Sequence, residues 1–247
     1  MSMIYPSAAP QCSHDRKVSC GNCRLNSLCL PISLHMDEID QLDQIVQRGR
    51  PLQKNEYLYR AGDTFTSVFA VRSGAVKALT LSDQGDEQIT GFYLPGEVVG
   101  MDGIADNCYT NSVIALETSS VCEIPFNRME ELSLQIPMLQ RHFFQLLSRE
   151  ITQEQQVIAL LSKSSAETRI AAFLLSISTR NSRRHLSSTQ FNLPMSRTDI
   201  GNYLGLTIET VSRVFTRLQN QGLIGVDKKA IHIRDMNGLA ELAGSYS

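Results

Sequence analysis

The C-terminal part of the 247-residue chain contains a short pattern that predicts a helix-turn-helix. Ser196 and Asp199 have the spacing of a capping box, which starts a helix, and Gly205 supplies a permissive turn residue. Thr207 can cap a second helix, predicted over residues 208 to about 219. These signals at this spacing indicate a fold that places the second helix in the DNA major groove.

The second helix divides into an apolar and a polar face. Its apolar residues recur at i, i+3, i+4 and i+7: Val211, Val214, Phe215 and Leu218. On the polar face, Arg213 suits a bidentate contact to guanine, Glu209 can accept from cytosine, and Ser212 suits either role. We also assign DNA contact to three nearby residues: Arg197, Thr207 and Arg217. The alternative is a helical hairpin with a solvated face, but the cap and the turn glycine favour DNA reading.

Charge supports the same assignment. The chain has a net charge of −2, but residues 163–234 hold eleven Lys and Arg against four Asp and Glu, a net +7, and the rest carries −9. A predicted hairpin within this basic third, turning at residues 227–229, resembles the wing of a winged helix. Lys228 and Lys229 at its tip are placed for phosphate contact. The basic third therefore fits DNA contact at one end of an acidic body.

The middle of the chain predicts a different architecture. Residues 52–125 alternate short β-rich runs with turn signals about every ten residues, which is typical of an antiparallel barrel or roll. Residues 137–162 lack Gly and Pro after the first position and predict one helix of about seven turns. A second helix over 165–179 and a polar loop over 182–190 follow. The fold class is therefore α+β, and the length allows two cores.

The long predicted helix carries a heptad seam. Its members are Phe144, Leu147, Ile151, Glu154, Ile158 and Leu161. Such a seam predicts a two-fold helix pair, in which the two Glu154 carboxylates approach each other across the axis. Because burying like charges is unfavourable, the dimer would be near its stability threshold. The alternative places Glu154 at a solvated rim.

Three cysteines near the N-terminus, Cys20, Cys23 and Cys29, form a C-x2-C-x5-C run. The N-terminus lacks a basic segment followed by an apolar run, so we expect a reducing cytoplasm, where clustered thiols bind metal or react. The spacing fits an iron–sulfur cluster, zinc or a regulatory disulfide. Cys108 and Cys122 are both candidates for a fourth ligand, and spacing does not decide between them.

Several longer segments resemble the oxygen-sensing FNR branch of the CRP/FNR family of bacterial transcription regulators. They are CGNCRLNSLCLP at 20–31, QGDEQITGF at 84–92, LETS at 116–119, VCEIP at 121–125 and DIGNYLGLTIETVSR at 199–213. The resemblance implies a [4Fe–4S] cluster on four cysteines: Cys20, Cys23, Cys29 and Cys122. Cys12 and Cys108 are then not ligands.

The resemblance also implies a domain order and a mechanism. We expect a cysteine-rich segment over 1–34, a cyclic-nucleotide-binding-like jelly roll over 35–136, a dimerisation helix over 137–162 and a winged helix-turn-helix over 163–247. The cluster would favour a homodimer that binds TTGAT-N4-ATCAA sites in double-stranded DNA, and oxygen would release it. Glu209, Ser212 and Arg213 correspond to the base-reading residues. A contact with RNA polymerase is implied at four residues: Ser73, Gly85, Asp86 and Thr118.

Two departures from relatives limit the alternatives. The acidic and Arg-Ser residues that hold a cyclic nucleotide in other family branches are replaced by the stretch that begins at Gly100 and by Asn111-Ser112. A small-molecule-gated CRP-like regulator with zinc or thiol-redox cysteines is therefore the weaker alternative.

Arg24 stands beside Cys23 where a small polar residue is expected, which predicts an altered cluster environment. An iron–sulfur electron carrier or enzyme is disfavoured by the recognition helix, and nothing in the sequence resembles a nucleophile–base pair or a substrate-binding glycine loop. We also expect no membrane attachment, since no long apolar run exists.

Overall fold

The computed structural model describes residues 19–82 and 84–244. Eight strands of this part form a β-roll: β1 (Gln47–Arg48), β2 (Tyr57–Tyr59), β3 (Ser67–Ser73), β4 (Val76–Leu81), β5 (Glu87–Tyr93), β6 (Val98–Val99), β7 (Ser112–Ala115) and β8 (Ser120–Pro125). They make two four-stranded antiparallel sheets with the orders β1-β8-β3-β6 and β2-β7-β4-β5. The predicted antiparallel roll is confirmed.

The core of the roll is built from the inner faces of both sheets. Val68 and Val71 on β3 are almost fully buried, as are Val76 on β4 and Val113 on β7. Branched side chains are favoured on such pleated, buried surfaces, which explains why these runs form strands. The sheet that contains β3 and β8 is therefore anchored by this core.

Four helices follow or flank the roll: α1 (Met36–Ile45), α2 (Phe126–Gln135), α3 (Pro137–Lys163) and α4 (Ala166–Arg183). The long helix predicted over 137–162 is α3. The second predicted helix is too short, because α4 continues to Arg183, and the predicted loop over 182–190 is correspondingly shorter. Sequence patterns do not reveal α1 and α2, which are ten residues each and expose much of their surface. The two pack against each other, and α2 packs against α3.

The C-terminal domain contains β9 (Gln190–Asn192), α5 (Arg197–Leu204), α6 (Ile208–Asn220), β10 (Ile224–Asp227), β11 (Ala230–Ile233) and α7 (Met236–Ala243). The strands form a three-stranded antiparallel sheet in the order β10-β11-β9. Helices α5 and α6 are the predicted helix-turn-helix, joined at Gly205, whose φ of +62° is left-handed. The β10–β11 hairpin turns at residues 228–229 as predicted. The short helix α7 is not predicted by the sequence pattern.

The roll and the C-terminal domain share one hydrophobic cluster. Phe92 on β5 meets the ring of Tyr203 on α5 at a centroid distance of 5.1 Å and that of Phe173 on α4 at 6.1 Å. The backbone N–H of Ile89 donates to the Asn202 side chain at 2.6 Å. Helices α4 and α5 therefore pack directly onto one face of the roll.

Among residues 19–82 and 84–244, no helix is both long enough and apolar enough to cross a bilayer.

Candidate cysteine site and DNA-reading surface

The N-terminal cysteines lie on a compact series of turns. The N–H of Cys23 donates to the carbonyl of Cys20 at 3.3 Å, and the N–H of Cys29 donates to the carbonyl of Leu25 at 2.9 Å. Cys122 lies on β8, between its two neighbours β1 and β3 in the sheet. One cavity with a mainly apolar wall is lined by Cys20, Cys23, Cys29 and Cys122. The structure thus brings together the four predicted ligands from two distant parts of the chain.

The two remaining cysteines have different positions. Cys108 forms an isolated β-bridge with Thr64, and its sulfur lies 3.8 Å from the Tyr109 carbonyl. It is not part of the cavity wall. Cys12 lies outside the described residues. Of the two candidates for the fourth position, Cys122 is the one that reaches the other three cysteines.

Burial raises the pKa of three of the cysteines at the cavity. It raises the pKa of Cys20 to about 12, and a hydrogen bond with Asp43 contributes to this rise. Burial also raises the pKa of Cys29 to about 12, with partial opposition from the backbone N–H of Leu30. The pKa of Cys122 is raised for the same reason. Burial therefore favours the protonated form of Cys20, Cys29 and Cys122, and a bound metal would compete with their protons.

Charged side chains that sequence patterns do not reveal lie at the wall of the cavity. Arg48 and Asp43 form an ion pair, and Arg48 Nη2 also lies 3.5 Å from Cys20 Sγ. Arg72 lies in the same cavity wall. No local signal marks Arg48, because its position depends on the pairing of β1 with β8. Arg24, which the sequence singles out, is exposed and outside the wall.

The described residues hold no preformed group of ligands for a single metal ion. Within residues 19–82 and 84–244, no three His, Cys, Asp or Glu side chains are close enough to hold one metal ion. A [4Fe–4S] cluster binds each cysteine through a different iron, so its ligands are farther apart than those of a single ion. The four cysteines at this apolar cavity therefore lack the close grouping that a tetrahedral zinc site requires.

The predicted DNA-reading helix α6 has the expected faces. All four members of its predicted apolar face, Val211, Val214, Phe215 and Leu218, are buried. Glu209, Ser212 and Arg213 are exposed on the other side. The capping box of Ser196 and Asp199 is formed, and the Thr207 hydroxyl accepts from the N–H of Thr210 at 3.2 Å. The three base-reading candidates therefore share one accessible surface.

The other DNA-contact candidates are more constrained. The Arg197 guanidinium lies 3.5 Å from the centroid of the Phe215 ring and is half-buried. The exposed Arg217 forms an ion pair with Glu167 on α4. At the tip of the hairpin, Lys229 Nζ donates to the Pro194 carbonyl at 3.1 Å. Arg197 would have to leave a cation–π contact to reach DNA, so its DNA contact stays a prediction.

The predicted dimer seam lies along α3. Phe144, Ile151 and Ile158 are 60%, 55% and 64% exposed, although all three are large and apolar. Leu147 and Leu161 are partly buried, and Glu154 is exposed on the same helix. An apolar row of this kind on a long helix needs a partner surface.

The four predicted polymerase-contact residues lie at two turns of the roll. Gly85 and Asp86 lie in the turn between β4 and β5, and Gly85 has a φ of +86°. Ser73 and Thr118 are brought together at Gly74, where an added Cβ would lie 2.5 Å from the Thr118 carbonyl oxygen. Gly74 is thus required for this close approach. The polymerase role of these turns stays a prediction.

Internal hydrogen bonds connect the two stretches, at Gly100 and at Asn111, in which residues that bind a cyclic nucleotide in other family branches are replaced. The Asp102 carboxylate accepts from the Thr110 hydroxyl at 2.8 Å and from the backbone N–H of Asn111 at 2.9 Å. It also accepts from the Asn111 side chain at 3.0 Å. This carboxylate therefore closes the segment between Asp102 and Asn111.

Two family models match the chain. The cyclic nucleotide-binding domain matches residues 49–135, and the Crp-like helix-turn-helix domain matches residues 168–242. Both agree with the observed roll and with the helices α4 to α7.

The chain is also similar to named regulators over nearly its whole length. It is 55% identical to the transcriptional activator protein FnrA of Stutzerimonas stutzeri, over 93% of this chain and 94% of that protein. It is 47% identical to the anaerobic regulatory protein of Haemophilus influenzae, over 92% and 89%. The solved structure of FixK2 from Bradyrhizobium japonicum is 29% identical, with a TM-score of 0.75 over 81% of this chain and 98% of that one. The chain therefore belongs to the FNR type of the CRP/FNR family of DNA-binding transcription regulators.

Proposed function

We propose that this regulator responds to oxygen through a [4Fe–4S] cluster held by Cys20, Cys23, Cys29 and Cys122, and that it controls anaerobic gene expression. The observation that carries the proposal is that the four proposed ligands line one mainly apolar cavity. A relative that is 47% identical bears the name anaerobic regulatory protein, which agrees with this role. When bound, the cluster supplies oxygen-sensitive iron–sulfur bonds between the N-terminal segment and β8.

A physical connection leads from this cavity to α3. Directly after Cys29, a short 3₁₀ helix (Leu30–Ser33) packs against α3. A Cys29 side chain held at the cavity would therefore also fix the position of the 3₁₀ helix, which contacts α3. We infer that this contact sets the position of α3, whose exposed seam then pairs with the seam of a second copy.

Pairing of α3 determines DNA binding by geometry. Two copies related by a two-fold axis present two α6 helices, about one turn of DNA apart, to an inverted repeat. We propose TTGAT-N4-ATCAA sites, with Glu209, Ser212 and Arg213 reading the bases. Loss of the dimer removes one of the two reading helices, and DNA affinity falls accordingly. The turns at Ser73, Thr118, Gly85 and Asp86 are the surfaces that we propose for RNA polymerase.

The test is anaerobic purification followed by iron and acid-labile sulfide analysis. The expected result is about four irons and four sulfides per chain, with visible sulfur-to-iron absorption. Binding to a TTGAT-N4-ATCAA duplex is then measured before and after exposure to air, and we expect it to be lost in air. Colourless protein that binds the duplex equally in both states would contradict the proposal.

A further inference from the structure

Arg48 occupies a position directly opposite one of the proposed ligands. In the antiparallel β1–β8 ladder, Arg48 is the register partner of Cys122. Its side chain reaches along the cavity wall, where Nη2 lies within hydrogen-bond distance of Cys20 Sγ, at 3.5 Å. One arginine is therefore placed between a cysteine of the N-terminal segment and the cysteine of the roll.

Asp43 holds this arginine in place. Its Oδ1 accepts from Arg48 Nη2 and also from the backbone N–H of Cys20, the latter at 2.7 Å. A single carboxylate on α1 therefore fixes both the guanidinium and the main chain of the first cysteine. The side chains of Arg48 and Asp43 are only 23% and 26% exposed, so the contact lies mostly away from solvent.

The Arg48 guanidinium also has unused hydrogen-bonding capacity. Its Nε is buried and has no hydrogen-bond partner among the described residues. A buried, unpartnered N–H of a charged group is unfavourable unless an acceptor is present. The thiolate and sulfide sulfurs of a bound cluster are acceptors of the required kind, and the cavity that Arg48 lines is where they would lie.

Charge gives a second, independent reason for a cation here. A [4Fe–4S]²⁺ core with four thiolates carries a net charge of −2, and placing this charge in a mainly apolar cavity is unfavourable without compensation. Two cations line the cavity, Arg48 and Arg72. Of the two, Arg48 is the one with a described hydrogen bond to a ligand cysteine.

We propose that Arg48, anchored by Asp43, is a positioning residue for the cluster: it donates to the ligand sulfurs and compensates their negative charge. This inference rests on the proposed cluster at the four cysteines. Lysine cannot replace arginine fully here, because a planar guanidinium donates to the Asp43 carboxylate and to sulfur at once, whereas an ammonium acts as a point charge. The arrangement also makes cluster retention depend on the β1–β8 pairing.

Three variants separate charge from geometry. Arg48→Gln removes the charge, and Arg48→Lys keeps the charge without the several planar N–H donors of a guanidinium. Asp43→Asn weakens the ion pair with Arg48 at nearly constant side-chain shape. Arg50→Gln is the matched control, because Arg50 lies two residues away and pairs with Glu56 at the exposed surface. Circular dichroism and urea unfolding of each apoprotein check that the fold is kept.

The measurements are iron and sulfide content after anaerobic reconstitution, the rate of iron loss to a chelator, and the midpoint potential of the bound cluster. For Arg48→Gln we expect iron loss about 10-fold faster or more. We also expect a more negative potential, because removing a cation destabilises the more negatively charged reduced cluster. Arg48→Lys should keep the wild-type potential more closely than Arg48→Gln while still losing iron faster, and Arg50→Gln should match wild type.

The outcomes separate this inference from the proposed function. Wild-type protein without iron and sulfide would overturn both. Wild-type protein with a full cluster, together with Arg48→Gln and Asp43→Asn variants of unchanged chelator resistance and potential, would overturn the positioning role alone. If Arg48→Gln fails to fold, Arg48→Lys and Asp43→Asn decide the question by the same measurements.

Discussion

The hydroxyl of Tyr93 at the end of β5 donates a 2.7 Å hydrogen bond to Glu150 Oε1 in the middle of α3. The contact joins the roll to the helix that carries the predicted dimer seam. Glu150 is partly buried, and Glu154 lies one turn farther along the same helix. The roll therefore touches α3 at a titratable group, close to the seam position that we expect to weaken the dimer.

This contact predicts a pH dependence of stability. Burial, and then the nearby Glu154 and Glu97, raise the pKa of Glu150 above its ordinary 4.5, although the Tyr93 hydroxyl opposes the shift. Because the folded chain favours the protonated form, the stability that Glu150 contributes is fully present below pH 4.5 and is lost as the pH rises through the raised folded value. Urea unfolding of wild type and Glu150→Gln across this window should show a free-energy difference that grows with pH in favour of the variant. Parallel curves would contradict the assignment.

The Lys77–Asp199 ion pair should contribute to docking of the helix-turn-helix on the roll. Lys77 Nζ lies 2.7 Å from Asp199 Oδ1, and both side chains are only 16% exposed. Lys77→Met leaves the Asp199 carboxylate partly buried without its cation, and we expect about 1–3 kcal/mol lower free energy of unfolding. The matched control is Arg128→Met, which breaks an exposed pair with Glu131 and should cost less than about 1 kcal/mol. Equal losses in the two variants would show that the interdomain pair has no special role.

Replacing Arg213 should relax base discrimination. Its guanidinium is exposed on α6, where it can meet guanine, so Arg213→Gln should weaken binding to a TTGAT duplex by about 1–3 kcal/mol. The loss should shrink on a duplex in which that guanine is replaced. Lys228→Ala is the comparison, since a phosphate contact at the hairpin tip should weaken binding uniformly and lower the salt dependence. Fluorescence anisotropy at several salt concentrations measures both. A uniform loss for Arg213→Gln on all duplexes would remove its base-reading role.

Glu154→Ala should give a dimer that persists in air. The substitution removes like charges that would approach each other across the two-fold axis of a paired α3. Glu130→Ala is the matched control, because it removes the same charge from an exposed position on α2, away from the seam, and should behave as wild type. Sedimentation of aerobic protein distinguishes the species. An aerobic monomer for Glu154→Ala would place this residue at a solvated rim.

Two serine substitutions test the choice of the fourth ligand. Cys122→Ser removes a thiol from the cavity wall, whereas Cys108→Ser changes a thiol outside it. We expect Cys122→Ser to lose nearly all iron after anaerobic reconstitution and Cys108→Ser to keep the wild-type content. Iron and sulfide analysis of the two purified variants gives the answer, and the reverse pattern would assign the fourth position to Cys108.

Local signals allow much of the fold to be predicted from sequence, and non-local pairing explains most of what they miss. The cap at Ser196, the turn at Gly205 and the apolar face of α6 act within one or two helical turns, so they can be recognised without the rest of the chain. The position of Arg48 depends instead on the β1–β8 register, which joins residues far apart in sequence. The family resemblance predicts Cys122 as the fourth ligand, whereas spacing alone does not separate it from Cys108. The short helices α1 and α7 gain their stability from tertiary packing, which periodicity does not report.

The shared core between β4, β5 and the C-terminal helices has a consequence for chain engineering. Phe92, Ile89 and Lys77 on the roll meet Phe173, Asn202 and Asp199 on the other side. A chimera that exchanges only the C-terminal third would leave this strand face opposite unrelated side chains. DNA specificity can therefore be transferred to another chain in two ways. One is to graft the few exposed positions of α6, and the other is to move the C-terminal domain together with the face of β4 and β5 that it contacts. The roll and the C-terminal domain are consecutive in sequence, but their shared core means that they should be exchanged together.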